Sequence, residues 1–244
     1  MTHKFTRIIL FSACATVISM CTLAAAPCTP GTLASYEALG VTGCTVGNDT
    51  FFNFQLLSDP SSGGAAPIGA GQITVEGLGP SGTVGASAVA PFLPTDIGVD
   101  FGTVWATTAG QTIDDDISFS VSVGAGAASI TDAGLVQDSY TTGNGNVTVT
   151  EKGCSGMTFP CNQVWGVATN DTSFVNDTIF SPTGTISVEK DIAVSGNGGT
   201  AGVSSVADVF STSEVPEPRA VSLLLGLGLV AGFAFKKKFQ SVGA

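Results

Sequence analysis

At 244 residues the chain has room for one domain of ordinary size, or for a large β-domain with targeting segments at its ends. Within residues 27–213, two lysines (Lys152 and Lys190) stand against seventeen carboxylates and leave a net charge of −15. Such a field repels phosphate backbones and excludes nucleic acid as a partner, and the absence of arginine from this body removes bidentate clamps on anionic ligands.

The first segment, MTHKFTRIILFSACATVISMCTLAAA, places Lys4 and Arg7 before an apolar run that ends in small residues. That order of charge, core and small residues is the pattern of a secretory signal peptide over 1–26, with cleavage expected near Ala25 or Ala26. An uncleaved membrane anchor is the competing reading. Lipid attachment is not expected at Cys14 or Cys21, although Ser12 and Ala13 precede Cys14.

The body, 27–210, is rich in Gly, Ser, Thr, Val and Ala. Its clearest element runs from Asp116 to Val123, where Ile117, Phe119, Val121 and Val123 alternate with Ser118, Ser120 and Ser122. A period of two sets the apolar residues on one face of a strand. Similar signals predict strands at Phe51–Leu57, Gln72–Leu78, Gly98–Trp105, Asn146–Lys152, Gln163–Thr169 and Thr185–Val194, separated by breaks such as DPSSGGAAPIG, TTGNGN and SGNGG. No amphipathic helix of ordinary length is evident; Val203, Val206 and Val209 have near-helical spacing but lie among glycine and serine. Short strands with turn-rich connections predict an all-β antiparallel sandwich, jelly-roll-like in its variant form. A looser, partly disordered chain is opposed by the aliphatic and phenylalanine content.

Candidate sites in the body are few. Cys28, Cys44, Cys154 and Cys161 permit three pairings, and an exported chain favours disulfides; Cys28–Cys44 and Cys154–Cys161 each close a local loop. His3 is the only histidine and precedes the expected cleavage point, so histidine-dependent nucleophilic catalysis and histidine-ligated zinc lack a member in the mature chain. Carboxylate chemistry is left: Glu76, Glu151 and Glu189 could supply a glycosidase pair if the fold set two of them at the required separation. Asp114, Asp115 and Asp116, with Asp96 and Asp100 nearby in sequence, are calcium candidates, since calcium takes several oxygen ligands, but a solvated turn ahead of the Ile117 strand is the favoured reading. Trp105, Tyr140 and Trp165 read either as core aromatics or as a sugar-stacking platform, with the core favoured. The triplet NDT recurs at Asn48–Thr50, Asn170–Thr172 and Asn176–Thr178, each with Phe two residues on. It reads as a turn leading into a strand rather than as a glycosylation signal.

Beyond the body lie a linker, 211–219, an uncharged run, Ala220–Phe235, and a basic tail, 236–244, that begins with Lys236, Lys237 and Lys238. As a helix the run spans about 24 Å, short of a roughly 30 Å hydrocarbon core, and the lysines favour the cytoplasmic side. The prolines of Val215-Pro216-Glu217-Pro218 prevent a helix from running back through this segment and keep it extended. Motif, apolar helix and basic stop, in that order, resemble the PEP-CTERM sorting signal of Gram-negative bacteria. The resemblance covers about the last thirty residues. It implies that Val215, Pro216, Glu217 and Pro218 are read by an exosortase, a membrane transpeptidase-like enzyme, that 220–235 is a transient transmembrane anchor and that Lys236–Lys238 is the membrane stop. It further implies an inner-membrane intermediate, delivery to the cell surface or extracellular space, and a structural or adhesive role in an exopolysaccharide matrix. A calcium- or carbohydrate-binding module, a tail-anchored periplasmic-facing protein and a glycoside hydrolase are the alternatives to this non-enzymatic reading.

Overall fold

The computed structural model describes residues 25–79, 96–124, 129–156 and 165–213. Cys161, the expected signal peptide up to residue 24, Val215–Pro218, the 220–235 run and Lys236–Lys238 lie outside the described residues.

Two sheets form the expected sandwich. In chain order the strands are β1 (Ala26–Pro27), β2 (Gly31–Thr32), β3 (Cys44–Val46), β4 (Asp49–Ser58), β5 (Ser61–Ser62), β6 (Thr74–Leu78) and β7 (Ile97–Thr107). There follow β8 (Thr112–Ser122), β9 (Ser129–Thr142), β10 (Asn146–Ser155), β11 (Trp165–Asn170), β12 (Val175–Thr183), β13 (Thr185–Ser195) and β14 (Thr200–Ser213). The first sheet has the order β1-β3-β4-β8-β13-β10-β11, with β5 paired to β8; the second has the order β12-β9-β14-β7-β6-β2. Among the described strands only the β1–β3 pairing is parallel. The strands β7, β8, β9 and β10 alternate between the sheets, the interleaving that a jelly roll requires. The single described helix, α1 (Leu33–Glu37), is capped by Thr32, whose side chain accepts from the Ser35 amide.

The strand predicted around Ile117 forms as expected, with Ile113, Ile117, Phe119 and Val121 all turned inward. Phe119 sits at the centre of an aromatic cluster with Phe51, Phe54, Phe101 and Phe210, at ring-centroid distances of 5.7 to 6.4 Å. Three bulges decide which residues join it. In β4 the register slips between Phe52 and Gln55, where Asn53 takes a φ of 55°, so Phe51 and Phe54 both face the core despite a spacing of three. In β14 a slip between Val203 and Ser205 does the same for Val203 and Val206. A further slip opposite Ser211 and Thr212 lets Ile130 and Ala133 of β9 share a face.

Those slips explain where expectation and structure part. The near-helical spacing of Val203, Val206 and Val209 belongs to a bulged strand: Val206 faces the main core, while Val209 joins Leu78, Val136 and Ala207 in a small cluster on the other face. No strand was expected at β9, β12 or β14, because bulges break the alternation in β9 and β14, and β12 is an exposed edge strand with little apolar pattern. The NDT triplets divide in the same way. Asn170 builds a turn, its Oδ1 accepting from the amides of Thr172 and Ser173 at 2.9 Å each, and Asn48 precedes β4. Asn176–Thr178, however, lies within β12 rather than in a turn.

Candidate functional site: a buried lysine between two carboxylates

The two lysines of the body each follow a glutamate, as Glu151-Lys152 and Glu189-Lys190. Antiparallel pairing of β10 with β13 sets Glu151 opposite Lys190 and Lys152 opposite Glu189. Successive residues of a strand point to opposite faces, so one pair is driven outward and the other inward. Lys152 and Glu189 form an ion pair of 2.6 Å on the outer face. Glu151 and Lys190 enter the space between the sheets, where Lys190 Nζ donates to Glu151 Oε2 at 3.0 Å.

The second sheet completes the cluster. The β14 bulge turns even-numbered residues inward, and Asp208 therefore stands beside Val206 and Phe210 in the core. Its Oδ1 accepts from the same Lys190 Nζ. Side chains of all three residues have no exposed surface. Their register partners on neighbouring strands are apolar: Ile117 beside Lys190, Val167 beside Glu151, Val99 and Leu135 beside Asp208. Two oxygens, Glu151 Oε1 and Asp208 Oδ2, have no hydrogen-bond partner.

Electrostatics in this buried site are strongly perturbed. Burial and the neighbouring charge of Glu151 push the Asp208 carboxyl well above the usual carboxylate range, against the opposing pull of Lys190. For Lys190 burial acts downward, but the two carboxylates outweigh it and raise its affinity for the proton. Chemically the site brings the Lys190 amino group into contact with two carboxyl groups, one of which, Asp208, has a raised affinity for its proton.

The other expected sites are distributed differently. Asp114, Asp115 and Asp116 lie inside β8 and not in a solvated turn. Asp115 points into the core and accepts from Trp105 Nε1 at 2.7 Å, whereas Asp114 and Asp116 point outward, so the three cannot surround one calcium ion. Among the described residues no group of three or more His, Cys, Asp or Glu is arranged to hold a metal. Of the proposed glycosidase carboxylates, Glu151 is in the core, Glu189 is on the outer face of the first sheet, and Glu76 belongs to β6 of the second; the fold pairs none of them. Trp105 and Trp165 are buried, Trp165 stacked on Phe180 at 5.2 Å, while Tyr140 is 54% exposed, so the aromatics form core contacts and no platform. Cys28 and Cys44 are joined as expected, and Cys154 is also disulfide-bonded. A cavity of about 220 Å³ beside α1 is lined by Pro27, Tyr36, Leu39 and Cys44 among others, but the Tyr36 hydroxyl is already committed to the Thr29 carbonyl at 2.8 Å.

No family model matches the chain, and no curated protein matches it. Among solved structures it is similar to TmCBM61, determined in complex with beta-1,4-galactotriose, at 13% identity over 62% of this chain and 88% of that one, with a TM-score of 0.29. It is also similar to the enzymatically active domain of tailspike protein 4 of Bacteriophage CBA120, at 13% identity and a TM-score of 0.26. That match covers 66% of this chain but only 19% of the tailspike chain. At these values neither likeness bears on what this chain binds or does.

Proposed function

We propose that the chain is an exported, non-enzymatic β-sandwich module, sorted through its C-terminal segment and serving a structural or adhesive role at the cell surface or in an extracellular polysaccharide matrix. The observation that carries this reading is the order of three features: Val215-Pro216-Glu217-Pro218, the uncharged run 220–235 and Lys236–Lys238. Each serves a physical step, namely an extended site for a membrane-bound processing enzyme, a transient anchor and a stop on the cytoplasmic side. The Cys28–Cys44 disulfide supports export, because such bonds persist in oxidising compartments. A body carrying seventeen carboxylates suits a hydrated matrix and repels nucleic acid.

The test is mass analysis of the protein recovered from membrane and extracellular fractions of its host. Under this reading the extracellular form ends near the Pro-Glu-Pro segment and lacks 220–244. A protein confined to membranes and intact through Lys238 would instead be a tail-anchored one, and the sorting reading would fail.

A further inference from the structure

The buried cluster of Lys190, Glu151 and Asp208 poses a problem as an ordinary ion-pair network. Removing a lysine and two carboxylates from water is repaid only when geometry is good and the remaining lone pairs are satisfied; here Glu151 Oε1 and Asp208 Oδ2 receive no hydrogen bond from any other residue, and the contact between the two carboxyls holds only with a proton between them. Surface ion pairing was available to the same sequence, as Lys152 and Glu189 demonstrate one residue away. Most core positions between the sheets are filled by apolar residues, Val, Ile, Leu and Phe above all. What the three groups do provide is a nucleophile, an electrophile and a proton carrier, pre-positioned by two sheets in a space closed to bulk solvent.

We propose that Lys190 and Asp208 become joined by an intramolecular isopeptide bond between Nζ and Cγ, with Glu151 as the catalytic residue that moves the protons. The step balances without any oxidant, cofactor or activated donor. Lys190 starts as an ammonium, Glu151 as a carboxylate and Asp208 as a neutral acid. Glu151 takes one proton from Nζ across the 3.0 Å hydrogen bond, and the freed lone pair attacks Cγ of Asp208. The tetrahedral intermediate loses its hydroxyl together with a second proton from nitrogen, relayed by Glu151, and one water molecule leaves. The products are a secondary amide, water and a neutral Glu151.

Several observations fit this product. Burial raises the affinity of Asp208 for its proton, which supplies the neutral acid that an amine can attack. Contact between Nζ and the Asp208 carboxyl removes the entropic cost of bringing amine and acid together. Exclusion of water opposes the reverse hydrolysis. After reaction no member of the cluster is charged, and the protonated Glu151 can donate to the new amide carbonyl. The bond links β13 in one sheet to β14 in the other, across 18 residues of sequence. It rests on the core geometry alone and is independent of the sorting signal.

The experiment uses the full chain, reduced, denatured and digested with a protease that cuts before aspartate. Cleavage before Asp191 separates Lys190 from Asp208 in the main chain. The expected result is a branched product in which the Lys190 and Asp208 peptides remain joined and weigh one water molecule less than their sum, with no cut before Asp208. Separate, unmodified peptides from folded wild-type protein would overturn the proposal, as would a branch ending at Glu151. Glu151→Gln keeps amine and acid but removes the proton carrier, and should slow joining by roughly 10²-fold or more. Joining at the wild-type rate in that variant would remove Glu151 from its role. Asp208→Ala should give no branch. If either variant fails to fold, the wild-type digest still decides.

Discussion

Replacing Asp115 by Asn should make the stability of the domain less sensitive to pH, and the size of the effect can be worked out from the structure. Asp115 is fully buried, and burial pushes its carboxyl from 3.8 up to about 6; the hydrogen bond from Trp105 opposes this, while the charges of Asp59, Asp114 and Asp116 add to it. Between those values the folded protein holds a proton that the unfolded chain has released, so stability falls as pH rises. The penalty is absent below the unfolded value and complete above the folded one. A gap of about 2 units at about 1.4 kcal/mol each gives about 3 kcal/mol. Asn accepts from Trp105 as Asp does but does not titrate in this range. Any constant cost of its amide, including an unpartnered NH₂ in place of the orphaned Oδ1, cancels when the same two proteins are compared at two pH values. Urea unfolding followed by far-UV circular dichroism should therefore show the difference, variant minus wild type, growing by about 3 kcal/mol from about pH 3.5 to about pH 7. A difference independent of pH would refute the assignment of a buried, proton-holding Asp115.

Phe119→Ala removes the centre of the aromatic cluster and should cost about 3 to 5 kcal/mol, read as a lower urea midpoint at unchanged slope; a loss under about 1 kcal/mol would mean that the cluster is loosely packed. Gly153→Ala places a Cβ 2.1 Å from Cζ2 of Trp165, whose ring is backed by Phe180, and should cost about 1 to 3 kcal/mol with a change in tryptophan fluorescence. An unchanged spectrum and stability would show that Trp165 does not lie against β10. Replacing both Cys28 and Cys44 by Ser opens a loop of 16 residues and should cost about 3 kcal/mol in midpoint-derived stability; no loss would place the N-terminal strands outside the cooperative unit.

The fold class was legible because serine–aliphatic alternation in Asp116–Val123 survives without interruption over a whole strand. It failed at β9 and β14, where an inserted residue moves the inward face from one parity to the other and leaves a spacing of three that mimics a helix. The functional cluster was hidden for a related reason. Composition shows that Lys152 and Lys190 are isolated cations in an acidic body, and the repeated Glu-Lys dipeptide hints that they pair. Which pair turns inward depends on the strand's facing, and Asp208 joins it only because of the bulge at Val203 and Ser205. Asp114–Asp116, by contrast, attracted attention as a cluster in sequence, although a strand necessarily separates its neighbours onto opposite faces.

β14 is hydrogen-bonded to β9 on one side and to β7 on the other, and its pairing with β9 continues to Ser213, within the stretch that the sequence suggests as linker. A pull applied at Ser213 would act along the axis of a central strand. Its interstrand bonds would then be loaded together, in shear, instead of being opened one after another as when an edge strand is peeled. A load on the C-terminal end of β14 is thus resisted better than one on the exposed edge strand β12 or on the short N-terminal strands.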